Sequence, residues 1–274
     1  MYPPYDTDTD TAANPDADRP VTLDRREGPY GEVVLRRRGG GGSGPDADGQ
    51  NAGGPHATAP VFEIIANGCF LMDTSDGRSE RLLIRAALNA LPAARQAPAL
   101  LIGGLGVGFS LAEAAAEPRW GRIAVVEREE AVIDWHRTGP LGRISAAALA
   151  DPRTEVIRAD LVSHLHAGVS HPDTGVSHPH TATASAPYDA LCLDIDNGPD
   201  WTVTEDNDSL YSPAGLAACR ASLSPGGVLA VWSAQPSPAF EESLRNAGFT
   251  GVRTEEISVA RGVPDVVHLA IRGS

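Results

Sequence analysis

Leu100-Leu-Ile-Gly-Gly-Leu-Gly-Val-Gly108 is the stretch on which the fold turns. An apolar run there meets a glycine cluster, and Phe109 begins a helical pattern, so the segment is expected to be a strand, a tight loop and a helix N-terminus. Glycines let the backbone approach a ligand closely, and the free N–H groups of the helix start face the same place. The spacing is Gly104-x-Gly106-x-Gly108, with Phe109 where a dinucleotide fingerprint would carry its third glycine. That third glycine permits close helix packing, so its absence counts against a dinucleotide site.

Downstream of this segment, strands are expected at Arg122–Val126, Glu155–Ala159, Ala190–Leu193 and Val228–Trp232, following a first strand at Ala99–Ile102. Helices fall between them, at about Phe109–Glu117, Glu129–His136, Leu161–His166 and Pro213–Leu223, and another precedes the glycine loop at Arg81–Leu91. Such alternation implies a parallel sheet with helices on both faces. The chain then runs helix Pro238–Ala247, strand Val252–Ile257, strand Val266–Ile271, with no helix between the last two. The expectation is an α/β, Rossmann-like, mostly parallel seven-stranded sheet closed by an antiparallel C-terminal strand.

Upstream, residues 1–20 are mostly Asp, Thr, Pro and Ala, with little to bury, and are expected to be a disordered acidic tail. Residues 21–77 read as a small antiparallel β unit, interrupted at 39–60 by a glycine-rich flexible loop. Its strands are Gly31–Arg38, Val61–Ala66 and Cys69–Met72, and Asn67-Gly68 between the last two is a strong hairpin signal because both turn residues need positive φ. Residues 78–274 form the larger domain, with a low-complexity insertion at 164–187 that repeats Gly-Val-Ser-His-Pro. Five of the eight histidines fall between 164 and 180, but none has helical i,i+4 spacing or a zinc-type cysteine partner, so the tract reads as a duplicated loop and no metal site is expected.

All 22 basic residues are arginine, which excludes a lysine Schiff base, a pyridoxal-anchoring lysine and a phosphate-loop lysine. With 36 acidic residues the formal charge is -14, against nucleic acid or an anionic membrane as a partner and in keeping with a cationic substrate. Three well-separated cysteines suit free thiols in a reducing compartment. The absence of a long apolar run, and of an apolar core in the first residues, leads to the expectation of a cytoplasmic protein.

Four acidic positions carry chemistry. Glu127 ends the second strand, where a carboxylate can accept both ribose hydroxyls of a nucleotide. Asp160 ends the third strand, where it can accept from an adenine amino group, cap the following helix, or do both. Asp194 ends the central strand Tyr188-Asp-Ala-Leu-Cys-Leu-Asp-Ile-Asp196, facing the crevice where open α/β sheets bind ligands. There it can remove a proton from an amine held for in-line attack. Asp196, Trp201 and the run Glu205–Asp208 follow on a loop, either as an acidic, aromatic-walled mouth for a cation or as solvated charge.

These motifs resemble the spermidine synthase (polyamine aminopropyltransferase) family, whose catalytic domain has the class I S-adenosylmethionine-dependent methyltransferase fold. The resemblance runs from about Gly31 to the C-terminus. It includes Ile102-Gly103-Gly104, Val-Val-Glu127, Ala-Asp160 and, most specifically, Tyr-Asp-x-x-x-x-Asp194-x-Asp196 with a following proline. It implies a glycine loop of Gly103, Gly104, Gly106 and Gly108 around an adenosyl ligand, with Glu127 on its ribose and Asp160 on its adenine. It also implies Asp194 as catalytic base; Asp196 and Trp201, on the loop that follows, are the expected substrate contacts. The co-substrate implied is decarboxylated S-adenosylmethionine, or S-adenosylmethionine itself, with no metal. The partner implied is a small-molecule amine or other small nucleophile, and a homo-oligomer is compatible with this. Three departures stand out. Gly106 replaces the loop aspartate that holds the aminopropyl amine, Arg78-Ser-Glu-Arg81 replaces a Tyr-His-Glu-type segment, and Arg261-Gly-Val-Pro264 replaces an aromatic loop. They leave open a methyltransferase acting on a small molecule, and a non-catalytic protein that binds an adenosyl ligand.

Overall fold

The computed structural model describes residues 19–28, 30–39, 59–169, 187–195, 197–200, 202, 207–257 and 263–273. The acidic tail as far as residue 18, loop residues 40–58, insertion residues 170–186, Asp196, Trp201, Glu205, Asp206 and residues 258–262 lie outside the described residues.

Four strands form an antiparallel N-terminal sheet in the order β1 (Val21–Gly28), β2 (Gly31–Arg38), β3 (Val61–Ala66), β4 (Cys69–Asp73). Asn67 and Gly68 make the β3–β4 turn with φ of 51° and 78°, the two positive values that the dipeptide calls for. The Asn67 carboxamide then ties the turn to the neighbouring hairpin: its Oδ1 accepts from Glu32 N–H at 3.0 Å, and its Nδ2 donates to the Tyr30 carbonyl at 3.1 Å. Leu35, Phe62, Ile64 and Ala66 are buried in the same core cluster as helix α1, so this sheet shares a core with the rest of the chain.

From α1 (Arg78–Ala90) onward the chain winds a second sheet of seven strands in the order β10-β11-β9-β8-β5-β6-β7. Its strands are β5 (Ala99–Gly103), β6 (Arg122–Glu127), β7 (Thr154–Arg158), β8 (Tyr188–Leu193), β9 (Leu223–Ser233), β10 (Phe249–Ile257) and β11 (Asp265–Arg272). β5 to β9 pair in parallel; β11 runs antiparallel to both its neighbours, β9 and β10. Central parallel strands are covered on both faces, which is why β5 and residues 190–193 of β8 read as apolar runs. Leu100 and Ile102 enter one core cluster, and Leu101 between them enters the other.

The helices are α2 (Phe109–Ala116), α3 (Glu130–Arg137), α4 (Gly142–Leu149), α5 (Leu161–Val169), α6 (Asp208–Tyr211), α7 (Pro213–Ser222) and α8 (Pro238–Asn246). α7 and α8 both start on a Ser-Pro pair. Ser212 and Ser237 accept the N–H of Gly215 and Phe240, and proline takes a first-turn position that needs no N–H. β1, α4 and α6 have no counterpart in the sequence-based expectation; the other elements agree with it in order and type.

The N-terminal sheet is fastened to the larger unit at α3. Trp135 Nε1 donates to Asp24 at 2.8 Å, and Arg26 pairs with both Asp24 (2.9 Å) and Asp134 (2.7 Å).

Candidate nucleotide-binding and catalytic site

Strand register brings the chemistry together. β5 pairs Gly103 with Val126 of β6 on one side and with Leu193 of β8 on the other. The next residue on each strand is therefore Gly104, Glu127 and Asp194, all at the carboxyl edge where the strand order reverses. Together with Asp160 they line a cleft of about 900 Å³, part of it open to solvent, whose opposite wall is the N-terminal sheet.

The glycine loop is tight at two places. Gly104 has φ 91°, and a Cβ there would lie 2.6 Å from the Asp194 carbonyl oxygen. Gly106 has φ 51°, and a Cβ there would lie 2.5 Å from Met72 Sδ. Both positions have a left-handed φ that favours glycine, and at Gly104, where the near atom is backbone, the missing side chain is needed as well. The loop's middle is held from beneath by His136, buried on α3. Its Nε2 lies 2.9 Å from the Gly106 carbonyl and its Nδ1 2.7 Å from Ser145 Oγ. A carbonyl only accepts, so Nε2 carries the proton and Nδ1 accepts from the serine. Burial pulls the His136 pKa down, against the Gly106 contact.

Glu127 is buried, and its two oxygens accept from Leu105 N–H at 2.9 Å and Glu129 N–H at 2.8 Å. Burial still pushes its pKa up, with those two bonds pulling the other way. Each oxygen keeps capacity for a further donor, and Glu127 lines the cleft. Asp160 caps α5, accepting from Ser163 N–H at 2.8 Å, and it also lines the cleft.

Asp194 extends the β8 ladder, its N–H donating to the Gly103 carbonyl at 3.0 Å, and its Oδ2 accepts from Ser110 Oγ at 3.0 Å. Burial pushes its pKa up to about 6, against the Ser110 bond. Glu80, in the first turn of α1, is pushed to about 8, first by burial and then by the negative charge of Asp194. A base that titrates near neutrality beside a second carboxylate suits a site that receives a proton from a cation.

Met72, Glu80, Ser110 and His136 carry no role in the sequence reading, and neither does Arg128, whose guanidinium stacks 4.3 Å from the Tyr30 ring centre at the cleft wall. The cysteines are free, Cys69 exposed and Cys192 and Cys219 buried. Among the described residues no three His, Cys, Asp or Glu side chains are grouped to hold a metal, and no helix is long and apolar enough to cross a membrane.

No protein-family model and no curated protein sequence matches this chain. Solved structures do. A spermidine synthase in complex with the transition-state analogue AdoDATO superposes with a TM-score of 0.65 at 16% identity, over 92% of this chain and 74% of that one. Spermidine synthase from Thermotoga maritima gives 0.62 at 15% identity, over 92% and 72%. Human methyltransferase-like protein 13 in complex with SAH gives 0.51 at 18% identity, over 69% and 81%. The fold is therefore the methyltransferase-like α/β fold, here preceded by an N-terminal antiparallel sheet.

Proposed function

We propose that this chain is a transferase that binds an adenosyl sulfonium in the cleft and passes the aminopropyl group of decarboxylated S-adenosylmethionine to a small amine. The observation that carries the reading is Asp194. It stands at the carboxyl edge of the central strand beside the glycine loop, with its pKa raised to about 6. In the reaction the amine lone pair attacks the carbon next to sulfur and the carbon–sulfur bond breaks. Methylthioadenosine leaves as a neutral thioether, and the proton released by the new ammonium goes to Asp194. Glu127 takes the ribose hydroxyls through its remaining lone pairs, Asp160 the adenine amino group, and Asp196 and Trp201 serve the acceptor. The acidic lining, Glu32, Glu127, Asp160 and Asp194, favours a cationic donor and a cationic acceptor.

A second reading, methyl transfer from intact S-adenosylmethionine, draws on Gly106. That position carries no side-chain carboxylate to repel the amino-acid tail. Calorimetry with adenosylmethionine, its decarboxylated form and methylthioadenosine, together with mass analysis of products from a panel of amines, separates the two. Tighter binding of the decarboxylated donor and products heavier by an aminopropyl group are expected. Preference for intact adenosylmethionine with methylated products would overturn the first reading, and binding of none of the three would overturn the site.

A further inference from the structure

The end of the cleft beyond Gly104 has a feature that neither sequence nor family resemblance assigns. Met72, at the inner face of β4, fills the recess beside Gly106, and its Sδ accepts the Val107 N–H at 3.2 Å. A glycine loop at a helix start ordinarily offers its N–H groups to an anion. In this loop four of them are spent inside the protein. Gly104 N–H donates to the Val126 carbonyl (2.9 Å), Leu105 N–H to Glu127 (2.9 Å), Val107 N–H to Met72, and Gly108 N–H to the Leu105 carbonyl (3.0 Å). Leu71, Met72, Ile195 and Asp194 are all among the residues that line the cleft.

With the ribose on Glu127, the sulfur substituent of an adenosyl ligand passes this loop and ends against Met72. A carboxylate on that substituent would lose its water, meet Asp194 as a like charge, and find these four N–H groups engaged. A plain methylene chain would lie on the thioether and Leu71. We propose that Met72 is the specificity-determining residue of the donor site. By filling the Gly106 recess and holding the Val107 N–H, it selects adenosyl ligands whose sulfur substituent lacks a carboxylate. This rests on the adenosyl reading of the cleft, and deepens it.

The test compares methylthioadenosine with S-adenosylhomocysteine, two thioethers that differ in the amino-acid tail. Each is titrated calorimetrically into the full-length wild type, Met72→Ala and Met72→Leu. Wild type is expected to bind methylthioadenosine about 10- to 100-fold more tightly, the range for leaving a buried charged group without partners. Met72→Ala, which opens the recess and frees the N–H, is expected to close most of that gap by gaining adenosylhomocysteine affinity. Met72→Leu, which still fills the recess, is expected to keep most of it. Equal affinities in wild type, or a gap unchanged in Met72→Ala, would overturn the proposal while leaving the adenosyl site standing. A gap that disappears in Met72→Leu would overturn the role given to the filled recess, and binding of neither ligand to wild type would overturn the adenosyl reading with it.

Discussion

Asp194→Asn is expected to stabilise the folded protein above pH 6 while abolishing turnover. Burial raises the Asp194 pKa from its ordinary 3.8 to about 6, so the folded chain holds the proton more tightly than the unfolded chain does. Whatever this carboxyl contributes is therefore fully present below pH 3.8 and is lost as the pH rises through about 6. At about 1.4 kcal/mol per pH unit, the interval sets a ceiling of about 3 kcal/mol on the cost of the ionised group. The cleft admits solvent and Asp194 is only half-buried, so about 1–2 kcal/mol is the expected gain at pH 8. Glu80 adds to the gain, since part of its upward shift to about 8 comes from the Asp194 charge and disappears with it. The asparagine oxygen still accepts from Ser110, so the local packing is kept. Urea unfolding at pH 4, 6 and 8, followed by the fluorescence of buried Trp120 and Trp135, reads the difference. The gain should vanish near pH 4, rise most steeply towards pH 6 and level off only near pH 8, where Glu80 has also titrated. A gain equal at pH 4 and pH 8, or a loss at both, would refute the claim that the fold holds an unfavourable carboxylate here. Unchanged turnover would remove Asp194 from the mechanism.

Two further outcomes follow from the residues around the loop. His136→Leu is expected to lose about 1–3 kcal/mol at pH 8 through the broken Gly106 and Ser145 contacts. Because burial favours neutral His136, wild type should also lose stability as the pH falls below 6.5, while urea midpoints of the variant stay flatter over that range. Glu127→Gln must turn an NH₂ towards either Leu105 or Glu129 N–H, setting donor against donor. Relief from burying the charge offsets the stability loss, so the expected effect is at least a roughly tenfold drop in methylthioadenosine affinity by calorimetry.

The larger sheet was legible because its central strands are buried on both faces, and such strands cannot hide among polar residues: β5, β6 and β8 are apolar almost throughout. The β3–β4 turn was legible because Asn-Gly has few other uses. β1 was not legible as a strand. Val21-Thr-Leu-Asp-Arg-Arg-Glu-Gly28 has no buried face, with Val21 and Leu23 both exposed, and it is held by pairing with β2 and by the Asp24 and Arg26 contacts to α3. Glu127, Asp160 and Asp194 could be found because each ends or follows a readable strand; the sheet register then brings Glu127 and Asp194 to either side of Gly104, and Asp160 lies two residues past Arg158, the partner of Glu127. Glu80 and Met72 could not. Each meets the site from an element distant in sequence, and nothing within reach of either along the chain signals the meeting.

The same reasoning changes the standing of the N-terminal sheet. As an appendage it would touch the larger unit at α3 and leave the glycine loop to set its own shape. The loop shows otherwise. Gly104 gives way to the Asp194 backbone, and Gly106 gives way to a side chain from β4, so the second and third glycine positions answer to different parts of the chain. Tyr30, Asn67 and Met72 wall the cleft from the N-terminal sheet, while Glu127 and Asp194 wall it from the larger one. A ligand between them touches both, and the contacts of Trp135 and Arg26 fix the distance across which it must fit. The departure from a three-glycine dinucleotide loop follows from the same packing. His136 and α4 occupy the ground beneath Gly106 and Gly108, and the aromatic Phe109 begins α2 under the Arg81 guanidinium, 4.4 Å from its ring centre. A third glycine at 109 would remove that contact and loosen the joint between α1, which carries Glu80, and α2, which carries Ser110, the two helices that meet behind Asp194.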